Sequence, residues 1–280
     1  MLLTTAVLWG INWPVGKHLL QELPPLSMRG IPGVCGGLLL ALVTVFAGQS
    51  LKVPRDQYAR LVLYAVLSVS AWMGLIGLAL VYLGAGETAI IGSTIPVWTA
   101  ALAWPVLGER LNFKRLIAMV MALTGVVVLM GGHGIAETQS KAPGIALVLL
   151  AACMFASSAV LAKRRPLQLP PLTTAVWQIV IGCLIVTLAG LVFERPHILQ
   201  LTPLGWGLFS FVMIGQVCIG YACWFGALAR LPASIAAMGM LLVPVIGVIA
   251  SAISLGEPLG LSQIGALALT VAGVAIASRS

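Results

Sequence analysis

Residues 61–86 read LVLYAVLSVSAWMGLIGLALVYLGAG and contain no charged side chain. At 1.5 Å per residue such a run outlasts the ~30 Å hydrocarbon core of a bilayer, which about 20 apolar residues already span. A helix of this composition has no polar face to turn to water. It is read as a membrane span, and the rest of the chain is read outward from it.

The same pattern recurs on both sides. Windows free of charge cover 30–51, 88–108, 116–132, 142–162, 166–193, 196–229, 231–256 and 258–278, with a shorter first window at 1–16. Across all 280 residues, 60% are hydrophobic and 8% are charged, and the mean hydropathy is +1.10. Soluble domains carry about 25% charged residues, because their surfaces are built from Lys, Arg, Asp and Glu. The composition excludes a soluble enzyme, a disordered chain and a small disulfide scaffold. The expected fold is an all-α integral membrane protein of ten transmembrane helices joined by short connections.

The first window is not read as a secretory signal, which places positive charge before its apolar run. Here Lys17 and His18 follow the run, and Asn12 and Pro14 interrupt it. The five cysteines, Cys35, Cys153, Cys183, Cys218 and Cys223, all fall inside apolar windows and behave as small hydrophobes. No metal site or other cofactor is expected from their spacing. His18, His133 and His197 lie near connections, with no His-Glu-x-x-His spacing, phosphate loop or nucleophile elbow, so no enzyme is expected.

The net charge of +8 is a topology signal. With a cytoplasmic N-terminus, the inner connections hold Lys52, Arg55, Arg60, Arg110, Lys114, Arg115, Lys163, Arg164, Arg165, Arg230 and Arg279. The outer ones hold Lys17, Arg29, Lys141 and Arg195. The positive-inside bias sets orientation, and ten spans bring both ends to the cytoplasm. Nucleic acid is therefore not expected as a partner; membrane lipid and a small-molecule substrate are. Of the acids, Glu22, Glu87, Glu137, Glu194 and Glu257 fall on the outer side.

Two halves repeat. Pro24-Pro25-Leu26-Ser27 recurs as Pro170-Pro171-Leu172-Thr173, and the same offset carries Trp9 to Phe155, Asn12 to Ser158 and Lys17 to Lys163. Two residues later in register, Pro96 followed by Gly108-Glu109 matches Pro244 followed by Gly256-Glu257. Thr124-Gly125-Val126 matches Ala272-Gly273-Val274. Residues 1–132 and 143–280 are each expected to form five helices. Since five is odd, the two halves are expected to be inverted copies, an arrangement typical of secondary transporters with a site at the repeat interface. On these spans and the repeated Pro-x11-Gly-Glu feature, the chain resembles the drug/metabolite transporter superfamily and its EamA family, most closely the bacterial inner-membrane exporters of aromatic amino acids. That resemblance implies a cavity lined by spans one, three, four, six, eight and nine.

The residues point to candidates for that cavity. Pro96 and Pro244 fall mid-window, and proline cannot return a bond to the carbonyl four residues back, here Gly92 and Met240. They read as packing kinks or as bends that shape a gate. The Gly-Glu pairs read as helix stops. The first span puts Trp9, Asn12, Trp13 and Gly16 on one face, with Phe155, Ser158, Ala159 and Ala162 as counterparts. The third puts Ser68, Trp72 and Ile76 on one stripe, matched in the eighth by Gln216, Gly220 and Trp224, with Tyr221 beside it. Asn12, Ser158 and Gln216 are expected to orient polar groups of a cargo, unless they are helix glue. Trp13, Trp72, Trp98, Phe155, Tyr221 and Trp224 are expected to wall its apolar part, although each aromatic also suits plain core packing. Trp104, Trp177, Trp206 and Tyr64 read as interfacial belt. Lys17 and Lys163 read as snorkelling cations. Gly33 and Gly37 read as a close contact within the chain, leaving a monomer or weak dimer.

No Asp or Glu falls near the middle of any window, whereas a proton-coupled exporter of cationic drugs is expected to need one. In the small multidrug-resistance branch of the resembled superfamily that acid sits in the first span, where this chain has Asn12. The expectation is export of small neutral or zwitterionic metabolites, aromatic and other neutral amino acids first, by alternating access. A drug or nucleotide-sugar carrier, or a passive channel, stands as the alternative.

Overall fold

The computed structural model describes residues 1–109, 113–131, 135–228, 230–231 and 239–278. Arg110, His133, Arg279 and the opening of the expected ninth span lie outside the described residues, as do the side chains of Lys114, Arg115 and Glu137. Every regular element among the described residues is helical. In chain order we number α1 Leu2–Leu19, α2 Ser27–Phe46, α3 Arg55–Tyr82, α4 Ala85–Leu107, α5 Phe113–Gly131, α6 Ile135–Arg164, α7 Pro171–Phe193, α8 Pro203–Leu228, α9 Leu242–Leu255 and α10 Leu261–Ser278.

Six of these, α2, α3, α4, α6, α7 and α8, are long and apolar enough to cross a membrane. The apolar cores of α5, α9 and α10 are shorter, and α1 ends in Lys17 and His18. Large apolar side chains such as Phe46, Phe193, Ile253 and Leu261 stand on the outside. A water-facing surface does not carry so many, but a lipid-facing one does. The chain is a multi-pass membrane protein.

Packing follows a repeated plan. α1 lies against α8 and α9, while α6 lies against α3 and α4; α2 contacts α8 and α7 contacts α3. Three further pairs join numerically equivalent helices: α2 with α7, α4 with α9, and α5 with α10. Glycines set the close crossings. In lipid the helices gain little from hydrophobic exclusion, so contact depends on backbones approaching over small residues. A methyl at Gly125 of α5 would come within 2.6 Å of Thr270 Oγ1 and 2.9 Å of the Ala266 carbonyl; one at Gly273 of α10 would come within 2.8 Å of the Ala118 carbonyl. The repeated glycine thus serves one crossing from both sides. Gly33 and Gly37 of α2 sit against Cys183 and Ile179 of α7, a contact within the chain.

Three helices depart from α-geometry in a way the spacing did not predict. α3 widens into a π-turn at Val66–Ser70, and α8 does so over Phe211–Ile219. These hold the matched residues Ser68 and Gln216. α4 is interrupted at Ser93 and Thr94, so Pro96 opens its second segment instead of bending a continuous helix. In α9, Pro244 likewise lies just inside the start of the Leu242–Leu255 helix. A proline costs least in a first turn, where its absent N–H has no helical partner. Both helices then stop at glycines in left-handed geometry, Gly108 at φ +71° and Gly256 at φ +67°.

Acidic side chains tie one end of the bundle together across the two halves of the sequence. Glu194, after α7, accepts from Leu26 N at 2.9 Å, Ser27 N at 2.8 Å and Ser27 Oγ at 2.6 Å, capping α2. Glu257 accepts from Ala85 N at 2.6 Å and Gly86 N at 2.8 Å, capping α4. Glu22 accepts from Thr202 N and its hydroxyl, both at 2.7 Å, at the start of α8. A carboxylate at a helix N-terminus meets unpaired amides and the positive end of the helix dipole, which accounts for acids that read as loop residues in the sequence.

Candidate functional site

The expected site residues gather around α1 in two aromatic groups. On one side the Trp13 and Trp72 rings meet edge to face at 6.3 Å, and Trp72 meets Phe155 at 5.7 Å. This row runs from α1 through α3 to α6. On the other side Trp9 lies 5.1 Å from Tyr221 and 6.0 Å from Trp224, joining α1 to α8. Trp98 belongs to neither group among the described ring pairs, and its indole nitrogen is buried without a partner.

Two glycines make the first group possible. A methyl at Gly92 would reach within 3.2 Å of Trp72 Cη2 and 3.3 Å of Trp13 Cη2; one at Gly247 would reach within 2.8 Å of Trp13 Cδ1. Gly92 is the last residue before the interruption in α4. The end of the first segment of the broken helix and the two indoles therefore meet at one place.

The π-turns supply acceptors to this region. A widened turn shifts carbonyls out of the regular ladder and recurs at functional sites. The Trp9 indole N–H donates to the Gln216 carbonyl at 3.1 Å, and the Thr5 hydroxyl donates to the Gly220 carbonyl at 3.2 Å. In the other half the Ser158 hydroxyl donates to the Tyr64 carbonyl at 3.3 Å, and so does that of Ser68 at 2.6 Å. Thus α1 is fastened to α8, and α6 to α3, through the same kind of bond. Gln216 is 8% exposed, with its carbonyl engaged as described. Asn12 is 7% exposed, and its Oδ1 is buried with no hydrogen-bond partner. A groove of about 350 Å³ between α3, α6 and α7, lined by residues such as Val66, Gly74, Met154 and Ile185, contains none of these candidates.

Several sequence expectations need correction. Arg29 is not a connection charge: it lies within α2, 4% exposed, with Nε and Nη2 buried and unpartnered. A lone Arg between a Met and a Gly gave no sign of burial. Lys17 does not snorkel; its Nζ donates to the Leu80 carbonyl at 2.5 Å and the Leu83 carbonyl at 2.8 Å, where the end of α3 presents unpaired acceptors. Lys163 instead meets Glu109 Oε1 at 2.5 Å. Tyr64 is 2% exposed, not a belt residue, and its hydroxyl lies 2.8 Å from the Arg165 carbonyl. Trp104 and Trp206 stand exposed as a belt requires. Trp177 is half-buried and donates to the Leu51 carbonyl at 2.8 Å. Among the described residues no group of His, Cys, Asp or Glu could hold a metal ion.

Comparison with known proteins places this architecture. A probable amino-acid metabolite efflux pump of Salmonella typhimurium is 30% identical over 98% of this chain and 92% of its own length. An uncharacterized transporter of Bacillus subtilis is 28% identical over 96% of this chain and 88% of its own. A probable terminal-alkyne amino-acid exporter of Streptantibioticus cattleyicolor is 28% identical over 75% of this chain and 70% of its own. One protein of known crystal structure shares the fold, with a TM-score of 0.70 over 99% of this chain and 94% of that one at 20% identity. The EamA-like transporter family matches at residues 1–131 and 142–279, nearly the whole sequence, and the chain belongs to that family.

Proposed function

We propose that this transporter is a secondary carrier exporting small neutral or zwitterionic metabolites, aromatic and other neutral amino acids first, across the bacterial inner membrane. Both ends of the chain lie in the cytoplasm. Residues 1–132 and 143–280 are inverted five-helix halves that exchange roles in alternating access. The observation that carries this reading is the packing plan: replacing each of α1–α5 by its equivalent among α6–α10 turns the pair α1–α8 into α3–α6, α1–α9 into α4–α6 and α2–α8 into α3–α7, and returns α2–α7, α4–α9 and α5–α10 to themselves. Two of its relatives are named for amino-acid export, and the aromatic groups around α1 contain no carboxylate.

Two acid–lysine arrangements support the exchange, one where α3 ends and α4 begins, the other where α4 and α6 end. At one, Glu257 holds the α4 amides and Lys17 holds the α3 carbonyls. At the other, their sequence equivalents Glu109 and Lys163 pair with each other. Alternation swaps these two arrangements. Asn12, Ser158 and Gln216 orient the cargo; Trp13, Trp72, Trp98, Phe155, Tyr221 and Trp224 wall it; the helix starts at Pro96 and Pro244 let α4 and α9 give way.

Counterflow in proteoliposomes tests the reading. Vesicles preloaded with unlabelled phenylalanine should transiently accumulate the labelled compound, with saturation, and Asn12→Ala or Gln216→Ala should cut the rate about tenfold through a lost polar contact. Flux without counterflow would make the protein a channel, and flux of drugs or nucleotide-sugars alone would give it another cargo. Repeating the measurement with and without a pH gradient separates proton coupling from exchange.

A further inference from the structure

Arg29 presents a physical problem that transport of a zwitterion resolves. An uncompensated guanidinium removed from water is costly, and intramembrane charges are functional by default. Yet Arg29 is 4% exposed, no salt bridge joins it to a described carboxylate, and two of its nitrogens lack any acceptor. Its side chain lies between α1 and α3. A methyl at Gly16 would come within 2.9 Å of Arg29 Cζ, and one at Gly77 within 3.4 Å of its Cγ. Gly16 is therefore glycine because the guanidinium rests on that spot of α1.

The second observation lies one turn away on the same helix. Asn12 and Gly16 are four residues apart, so they share a face of α1 about 6 Å apart along the axis. Asn12 Oδ1 is the buried acceptor with no donor, and Arg29 Nε and Nη2 are the buried donors with no acceptor. Next to Asn12 in sequence, Trp13 leads into the Trp72 and Phe155 row.

The geometry points to an α-amino-acid subsite where α2 sends Arg29 between α1 and α3, in which Arg29 receives the carboxylate, Asn12 Oδ1 receives the ammonium, and the indole row takes the side chain. The guanidinium fork matches a carboxylate with two parallel N–H donors. One site thus supplies each charge of the zwitterion with its complement, while the protein contributes a single formal charge. The subsite rests on the carrier reading above and gives it a substrate class: compounds with a free carboxylate beside an amine, rather than neutral metabolites at large.

Thermal stabilisation of the purified full chain by phenylalanine, 3-phenylpropionate and 2-phenylethylamine tests the subsite directly. Wild type should hold phenylalanine about ten- to a hundredfold more tightly than either analogue, as expected for losing a charge-assisted bond. Arg29→Gln should bring phenylalanine down to the level of 2-phenylethylamine, with Arg29→Lys in between. Asn12→Ala should bring it down to the level of 3-phenylpropionate. Arg29→Gln should melt no lower than wild type without ligand, since it removes a buried unpaired charge. If that variant does not fold, Arg29→Lys and the wild-type analogue series carry the same comparison. Equal binding of the three compounds by wild type, or an unchanged phenylalanine preference in Arg29→Gln, would overturn the subsite. Counterflow keeps the two readings apart. Carboxylate preference without counterflow removes the carrier and leaves the subsite; counterflow without carboxylate preference does the reverse.

Discussion

Single side chains matter in this protein according to what their burial leaves unpaired. Glu194 shows the satisfied case. Its two oxygens take three hydrogen bonds at the start of α2, from Leu26 N, Ser27 N and Ser27 Oγ. Glu194→Gln loses the charge and an acceptor while keeping the shape. Cap bonds and bonds to charged groups are each worth about 1–3 kcal/mol, so the melting temperature in detergent should fall by several degrees. An unchanged value would mean the α2 amides find water instead. Arg29 and Asn12 show the opposite case, in which burial leaves groups wanting partners. The surface pair Lys163 and Glu109 contributes little to stability by comparison, since exposed ion pairs are weak and screened by salt.

At the level of elements, the decisive feature is close approach. Gly30 of α2 lies so near α7 that an added methyl would come within 2.6 Å of the Thr187 amide nitrogen and 2.9 Å of its Cα. Backbone cannot step aside as a side-chain tip can. Gly30→Leu should therefore force α2 and α7 apart and cost at least the 1–3 kcal/mol typical of overpacking, read as a lowered melting temperature and poor recovery from the membrane. Gly207→Ala is the control, since its added methyl meets open space and should leave both measures within error. The same reasoning explains why Gly125 and Gly273 recur in sequence: each lets the other's helix in. Repetition of Ser68 and Gln216 has a different cause, as both lie in π-turns that present carbonyls to a crossing helix.

For the molecule as a whole, the equivalent acid–lysine pairs Glu257 with Lys17 and Glu109 with Lys163 are arranged differently. Alternation in the proposed cycle requires those states to be close in free energy, because a shift of about 1.4 kcal/mol already changes a population ratio tenfold. Glu257→Gln weakens the hold on α4, whereas Glu109→Gln weakens the pair with Lys163. The two variants should shift the open end in opposite directions. A membrane-impermeant maleimide offered from each side in turn, on a cysteine-free background carrying His18→Cys or Pro166→Cys, reads this out. Labelling at the two positions should change in opposite senses between the variants. Parallel changes would count against a role for this acid pair in the exchange.

The sequence by itself determined the solvent, the helical class and the recurrence of its motifs. Lipid leaves a chain no way to satisfy its backbone except within each segment, so length and charge suffice to find the apolar runs. The break before Pro96 is less legible, because interruption depends on neighbouring helices as much as on the proline. Trp13, Trp72 and Phe155 were found as faces, not as one row; meeting requires glycine at 92 and 247 on other helices. The burial of Arg29 is not legible in the sequence. Its place in the sequence, at the edge of an apolar window, is what a loop cation also shows. Only tertiary structure decided which polar groups are buried and whether each has a partner, because burial is a property of what packs against a residue. Local sequence fixes a residue's face on its helix; the contents of the space opposite are set by segments far away in the chain.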